Sequence, residues 1–371
     1  MVRLAAFAPT LLVWPTYLYV MVQLDAWNEV FSVHWPMAIA MICGSFLAGS
    51  TPLGGGVVAY PVSQLVLLVS TEHARDASVL VQSVGMNAAA WLIFVSKPEL
   101  FLTWFIYTFV GVGAIGVLLG LRFAPSPGAA NIVFATVVLM FGVAFFYASE
   151  IIGADRSTSS SSSKGNSNGN AKGNGSNKVV APSSFPPPVP VLALMVLSAG
   201  LGGILTASVG SGSDIALFAF GVFGWNVLMP PELNVTQLAL TASSVCVMGI
   251  LSAFTSVVRA LSGGFADRGV LLCWGADAFV VVLGAPIGSL VLTPTALRAL
   301  RKLFYVLAAL NFCGYVWVEP AFWHIGVWAL LVPLLAAEVL LLRCHYVAHE
   351  QAALRAAAAV AAPARAHPPL L

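Results

Sequence analysis

The sequence predicts an all-α polytopic membrane protein built from two related helical repeats, inverted relative to each other, each holding a glycine-broken or re-entrant helix. Three observations carry this. Apolar residues make up 59% of the 371 and charged residues 8%, with a mean hydropathy of +0.93, a balance ordinary soluble domains do not reach. Two stretches half a chain apart, Ser50–Pro61 (STPLGGGVVAYP) and Ala207–Phe218 (ASVGSGSDIALF), interrupt apolar runs with glycine, and ungapped alignment places Gly55 on Gly212, 157 residues later. Between the halves lies a Ser/Asn/Gly/Lys segment, 153–187, too poor in apolar surface to offset its own ordering entropy.

Runs long enough to cross a bilayer core of about 30 Å read as 4–23, 36–70, 76–96, 100–121 and 129–151, then 188–229, 235–258, 269–292, 303–318 and 321–343. The expected organisation is an N-terminal helix and loop (1–35), a first membrane repeat (36–152), a disordered linker (153–187), a second repeat (188–318), a final helix (319–343) and a C-terminal tail (344–371). Run 4–23 follows Arg3 and lacks a clear small-x-small cleavage site, so a retained helix is expected rather than a signal peptide.

Run 36–70 would be about 50 Å long as one helix, at ~1.5 Å per residue, and must break. Splitting it at the glycines leaves two arms, 36–52 and 54–70, which form either one tilted crossing or a hairpin. Basic residues decide between these. If both broken runs are hairpins, 12 of the 16 Lys and Arg fall on the side of the linker and both termini, leaving Arg75, Arg122, Arg259 and Arg268 opposite; single crossings would put only 9 there. Hairpins give each repeat five membrane elements, an odd number, and so invert the repeats. The termini and linker are therefore expected on the cytoplasmic side. The sequon Asn174-Gly175-Ser176 points the other way, but such triplets arise by chance in Asn/Ser-rich segments.

A net charge of +2, with the basic residues at the ends of apolar runs, gives no surface for nucleic acid. Cys43, Cys246, Cys273, Cys313 and Cys344 stand singly, without CxxC or metal spacing, and read as packing residues. No metal or cofactor is expected.

The chemistry is expected at the breaks. A helix that starts inside a membrane offers unpaired backbone N–H groups with partial positive charge, an anion site needing no lysine or arginine. Gly54, Gly55, Gly56, Gly210, Gly212, Ser213 and Asp214 supply such starts, with hydroxyls from Thr51, Ser208 and Ser211 nearby. The plainer alternative is that these glycines only let helices pack closely. Gln82, Ser83 and Asn87 on one helix, and Thr241, Ser243 and Ser244 on its counterpart, either bond between helices or line a central cavity. Gln82, Ser83 and Ser244 are the stronger substrate candidates. Asp214 is a carboxylate inside an apolar run, which suits coupling to a proton or sodium ion or capping of the helix that starts there. Asp277 is a weaker candidate of the same kind. Leucine at Gly55 or Gly212 is expected to abolish function, and leucine at Gly116, on an unbroken helix, to be milder.

The break GGG at Gly54–Gly56 with Pro61 after it, its second copy GSGSD at Gly210–Asp214, and the polar run TASSVCVMG at Thr241–Gly249 resemble the TauE/SafE family of sulfite exporters and related anion permeases. The likeness covers most of the chain outside the linker and tail. The first copy departs from the second in having Val57 where the second has Asp214, and Gln82-Ser83-Val84 where the second has Ser243-Ser244-Val245. The resemblance implies secondary transport of sulfite, a sulfonate or another small sulfur-containing or organic anion, without a bound cofactor. A channel or membrane receptor is the alternative. An intramembrane serine protease using Ser211 and His324 is disfavoured, because Gly210-Ser211-Gly212 is not a Gly-x-Ser-Gly nucleophile turn, and no enzymatic activity is expected.

Overall fold

The computed structural model describes residues 8–123, 126, 128–142, 187–230, 233–265 and 267–318. Among them run twelve helices and no strand: α1 (Ala8–Gln23), α2 (Trp27–Val33), α3 (Trp35–Ser50), α4 (Gly56–Val66), α5 (Thr71–Ser96), α6 (Thr103–Arg122), α7 (Gly128–Gly142), α8 (Val189–Val209), α9 (Ser213–Leu228), α10 (Gln237–Leu261), α11 (Arg268–Leu290) and α12 (Pro294–Val318). Five of these, α5, α6, α8, α10 and α11, are long and apolar enough to cross a membrane, or six if the pair α2–α3, bent by 73°, is counted as one span. The protein is thus a multi-pass membrane protein. The linker up to residue 186, the run 321–343 and the tail fall outside the described residues.

Local signals set the helix ends. The hydroxyl of Ser70 accepts the His73 N–H at the start of α5, Thr236 does the same for Ala239 before α10, and the Asp267 carboxylate accepts the Gly269 N–H before α11, each removing one orphan donor of a first turn. Gly210 ends α8 in a left-handed conformation, φ 81°, which glycine adopts without steric cost.

Both glycine breaks turn the chain back on itself. In the first hairpin Gly44 faces Val58, and the Ser63 hydroxyl reaches the Met37 sulfur at 3.8 Å, so α3 and α4 are antiparallel. In the second, Thr206 bonds Ser213, Gly202 faces Ala216, and Leu194 packs at Gly224, so α8 and α9 are antiparallel too. Each return arm then passes through a π-helical turn, Val62–Val66 and Phe220–Trp225. Pro61, which withholds an N–H from the ladder, precedes the first; nothing in the sequence explains the second.

The centre is a pair of antiparallel helices. Asp76 meets Arg259 towards one end of α5 and α10, and the Asn87 amide donates to the Gly249 carbonyl at 2.8 Å further along. α11 runs parallel to α5, with Ala77 against Val270 and Cys273, and Gly85 against Val281. In their most apolar 18-residue stretches α5, α10 and α11 are 61%, 72% and 67% buried, against 33% for α6 and α8, so the first three are the more central and the other two more peripheral. α1 runs antiparallel along α11, where the Thr10 and Tyr17 hydroxyls donate to the Val282 and Gly275 carbonyls at 3.2 and 3.0 Å.

The outer contacts are reciprocal between the halves. α3 packs along α11, with Gly49 on the Ala285 carbonyl and Gly288 on the Phe46 carbonyl, while α8 packs along α6, with Gly116 on the Gly200 carbonyl and Gly203 on the Gly113 carbonyl. In lipid there is little hydrophobic drive between helices, so such backbone contact through small residues holds them. This corrects one expectation. Gly116 is not a mild position, because any side chain there strikes the Gly200 backbone, whereas a Cβ on Gly111 would meet nothing within 4 Å. Gly116→Leu is expected to cost about 1–3 kcal/mol or more by overpacking, read as a lower Tm in detergent, with Gly111→Leu unchanged. Equal melting of the two would reject the contact.

Candidate functional site

The tips of the two hairpins meet on one face of α5. Gln82 and Ser78, one helical turn apart, both point at the second tip: the Gln82 Nε2 donates to the Gly210 carbonyl at 2.5 Å and to the Ser78 hydroxyl at 2.9 Å. A carbonyl can only accept, so the Gly210 oxygen fixes which way the amide faces. Gln82 Oε1 is thereby turned to the other side, towards the first tip.

Three buried polar atoms converge there. Gln82 Oε1, Asp214 Oδ2 and Ser211 Oγ have no hydrogen-bond partner among the described residues, and their side chains are 1%, 0% and 2% exposed. A Cβ placed on Gly54 would lie 2.7, 2.6 and 3.5 Å from these atoms, and one on Gly56 would lie 2.6 Å from Gln82 Nε2 and 2.9 Å from Ser211 Cβ. The tips are therefore closed so tightly that neither glycine has room for a methyl group. Gly54 also has φ +35°, a backbone region that side chains disfavour.

Both return arms begin at this cluster. In α4 the first intrahelical donors are Val58 and Ala59, to the Gly55 carbonyl, and in α9 the first is Ala216, to the Gly212 carbonyl. An α-helix leaves its first N–H groups without a backbone partner; in α9 side chains take two of them, the Thr206 hydroxyl that of Ser213 and Asp214 Oδ1 that of Ile215. Asp214 divides its two oxygens between the roles expected of it: Oδ1 accepts the Ile215 N–H at 2.9 Å, in the first turn of α9, and Oδ2 faces Gly54 and Gln82. Ser213 closes the hairpin instead, its hydroxyl 2.7 Å from that of Thr206, which also accepts the Ser213 N–H at 3.1 Å.

The other sequence candidates are occupied elsewhere. The hydroxyls of Thr51, Ser83, Ser208 and Ser244 donate to carbonyls of their own helices, those of Leu47, Leu80, Ile204 and Thr241. Ser243 accepts the Leu102 N–H, and Asn87 ties α5 to α10. Gly55 turns away from the cluster, towards Met41 at 3.1 Å and Ala48 at 3.7 Å, and Gly212 packs on Leu205. Asp277 lies on α11, fully buried, with both carboxylate oxygens unpartnered among the described residues. His324, the base considered for Ser211, falls outside the described residues.

Two features were not legible as site components. Ser78 carries no sequence signal beyond standing four residues before Gln82. Arg75 and Asp76 look like the polar edge of an apolar run, yet α5 starts at Thr71 and carries both inward. Asp76 accepts from Arg75 Nε at 2.9 Å and from Arg259 Nε at 3.1 Å, and its second oxygen is bound by Arg259 Nη2. The Arg75 carbonyl in turn lies against Gly210, so this ion cluster adjoins the second tip. Comparison with protein-family models, curated proteins and solved structures finds no match for the chain.

Proposed function

We propose that the protein is a secondary transporter for a small anion of the sulfite, sulfonate or related sulfur-containing or organic class, bound where the hairpin tips meet, with Asp214 serving the coupling ion. One observation carries the proposal: two helix starts from opposite halves of the chain converge, deep inside the bundle, on unpartnered polar atoms. Helix starts attract negative charge through their free N–H groups and dipole, and the tips themselves hold no lysine or arginine. An anion held this way meets no fixed cation that would retain it. Gln82 stands 11 residues into a 26-residue helix, about 17 Å from its start at ~1.5 Å per residue, which is the midplane depth where transporter sites of this type lie.

The reciprocal packing of α3 on α11 and α8 on α6, with α5 antiparallel to α10, supports inverted halves. Hairpins from inverted halves enter from opposite faces, so separating the tips from one side exposes the site to that side alone. The resemblance to TauE/SafE permeases points to the same class of substrate.

Reconstituted protein is expected to show saturable uptake of at least one anion from a panel of sulfite, sulfate, thiosulfate and small sulfonates, stimulated by a proton or sodium gradient. Uptake that neither saturates nor responds to a gradient would favour a channel, and no uptake of any anion would reject the proposal. Cysteines introduced as Ser160→Cys and Ala359→Cys are expected to resist impermeant reagent in intact cells; labelling of either would reverse the assigned orientation.

A further inference from the structure

Between the hairpin tips two hydrogen-bond acceptors face each other. Gln82 Oε1 is held there because its amide nitrogen is committed to the Gly210 carbonyl and Ser78. Asp214 Oδ2 is held there because Oδ1 is committed to the Ile215 N–H. Both lie within 2.7 Å of the point where a Cβ on Gly54 would be, and both lack a partner among the described residues. Two buried acceptors beside one point need donors, and the only one left over there among the described residues is the Ser211 hydroxyl, whose single O–H can serve one of them.

Among the described residues no cationic side chain reaches this contact. The charged and titratable groups on the elements packed around Asp214 are Glu72, His73, Arg75 and Asp76 on α5, Cys246 and Arg259 on α10, Tyr107 and Arg122 on α6, and Cys43 and Tyr60 on the first hairpin; α8 has none. Arg75 and Arg259 are committed to Asp76, one turn and more above Gln82.

Resting on the transport reading above, we infer that the coupling ion is a proton: Asp214 carries it on Oδ2, donates it to Gln82 Oε1, and so latches one hairpin to the helix that holds the other. One proton on Oδ2 turns that acceptor into a donor for Gln82 Oε1 and leaves the carboxyl able to accept from the Ser211 hydroxyl, the third unpartnered group. The side-chain oxygens left over here among the described residues are three, Gln82 Oε1, Asp214 Oδ2 and Ser211 Oγ, a thin set for a hard metal cation, which takes about six or more oxygens. Release breaks the Asp214 O–H bond, leaves its electron pair on the carboxylate, and passes the proton to water at the parting tips. Carboxylate and amide oxygen then repel, and the tips separate. Proton loss and opening of the anion site are one event.

The full-length protein is tested in two ways that need no anion. Infrared difference spectra on alkalinisation are expected to show loss of a carboxylic-acid C=O band that shifts in D2O, is insensitive to sodium, and is missing in Asp214→Asn. Hydrogen exchange of the tip segments 51–57 and 208–215 is expected to rise in step with that loss. In Asp214→Asn, whose amide can donate to Gln82 but cannot release a proton, exchange at the tips is expected to stay low at every pH. A neutral-pH protein without an Asp214-dependent acid band, or a band abolished by sodium, would overturn the proton assignment. Loss of the band with no change at the tips would overturn the latch. A protein that passes both tests yet moves no anion would keep the latch and sink the transport reading.

Discussion

Gly54→Leu is expected to abolish the proposed anion flux while the protein remains inserted in the membrane. The reason is local. The added Cβ alone would come within 2.6 Å of Asp214 Oδ2 and 2.7 Å of Gln82 Oε1, and the backbone at φ +35° adds a cost of roughly 1–2 kcal/mol for any residue with a Cβ. The tips cannot close around the larger side chain, so Gly54→Ala is also expected to be severe. Gly55→Ala is expected to be mild, because its Cβ would meet only Met41 Cε at 3.1 Å and Ala48 at 3.7 Å, a flexible end and an ordinary contact. Gly111→Leu sets the background level for a lipid-facing glycine. The measurement is uptake per inserted protein for the four variants. Wild-type flux in Gly54→Leu would mean that the tips do not form the site.

Asp76→Ala is expected to give the largest loss of stability among the single changes considered. It removes the one carboxylate that holds Arg75 and Arg259, whose side chains are 9% and 22% exposed. Breaking a buried ion pair from one side costs about 3–5 kcal/mol, because the remaining charge is left without a partner. Arg259 retains some access to solvent, which places the loss towards the lower end. The readout is Tm in detergent. The triple variant Arg75→Met, Asp76→Leu, Arg259→Met is expected to recover much of the loss, since apolar replacements of similar volume lack the desolvation penalty. An unchanged Tm for Asp76→Ala would show that the cluster is a surface feature with little energetic weight.

The helical class and the positions of the breaks are readable because lipid imposes long apolar runs, and a 35-residue run with three consecutive glycines has few ways to fold. The hairpins follow from charge placement: Arg75, Arg259 and Arg268, assigned to one side from the sequence, do gather at one end of α5, α10 and α11, where Arg268 pairs with Glu29 at 3.0 Å. The site was legible only in part. Gln82, Ser211 and Asp214 stand out as polar residues in apolar surroundings, and each has a buried atom left over. Thr51, Ser83, Ser208 and Ser244 look the same in sequence, but a hydroxyl in a helix can satisfy itself on a carbonyl one turn back, and theirs do. A longer amide or a carboxylate at a helix start cannot do so as easily. Which glycine faces the site depended on the turn geometry, and Gly54 rather than Gly55 does so because the chain reverses one residue earlier than symmetry about the three glycines suggests. Gly116 misled because its role is set by a backbone 84 residues away.

The π-helical turns in the two return arms occupy matching places, beginning at Val62 and Phe220, beyond the first turns that leave the tips. A π turn contains one residue more than an α turn needs. Winding that residue into regular α-helix would screw everything on the tip side by one position, roughly 100° of rotation and ~1.5 Å of travel. With the loop end of an arm held fixed, the whole movement arrives at the tip. Gly54 and Gly56 on one arm, or Asp214 on the other, would swing off Gln82 at the cost of the arm's contacts inside its own hairpin, Gly44 with Val58 or Thr206 with Ser213, while α5 and α10 stay clamped by Asp76–Arg259 and Asn87–Gly249. Each arm thus carries one spare click of a ratchet, stored as slack in its own backbone.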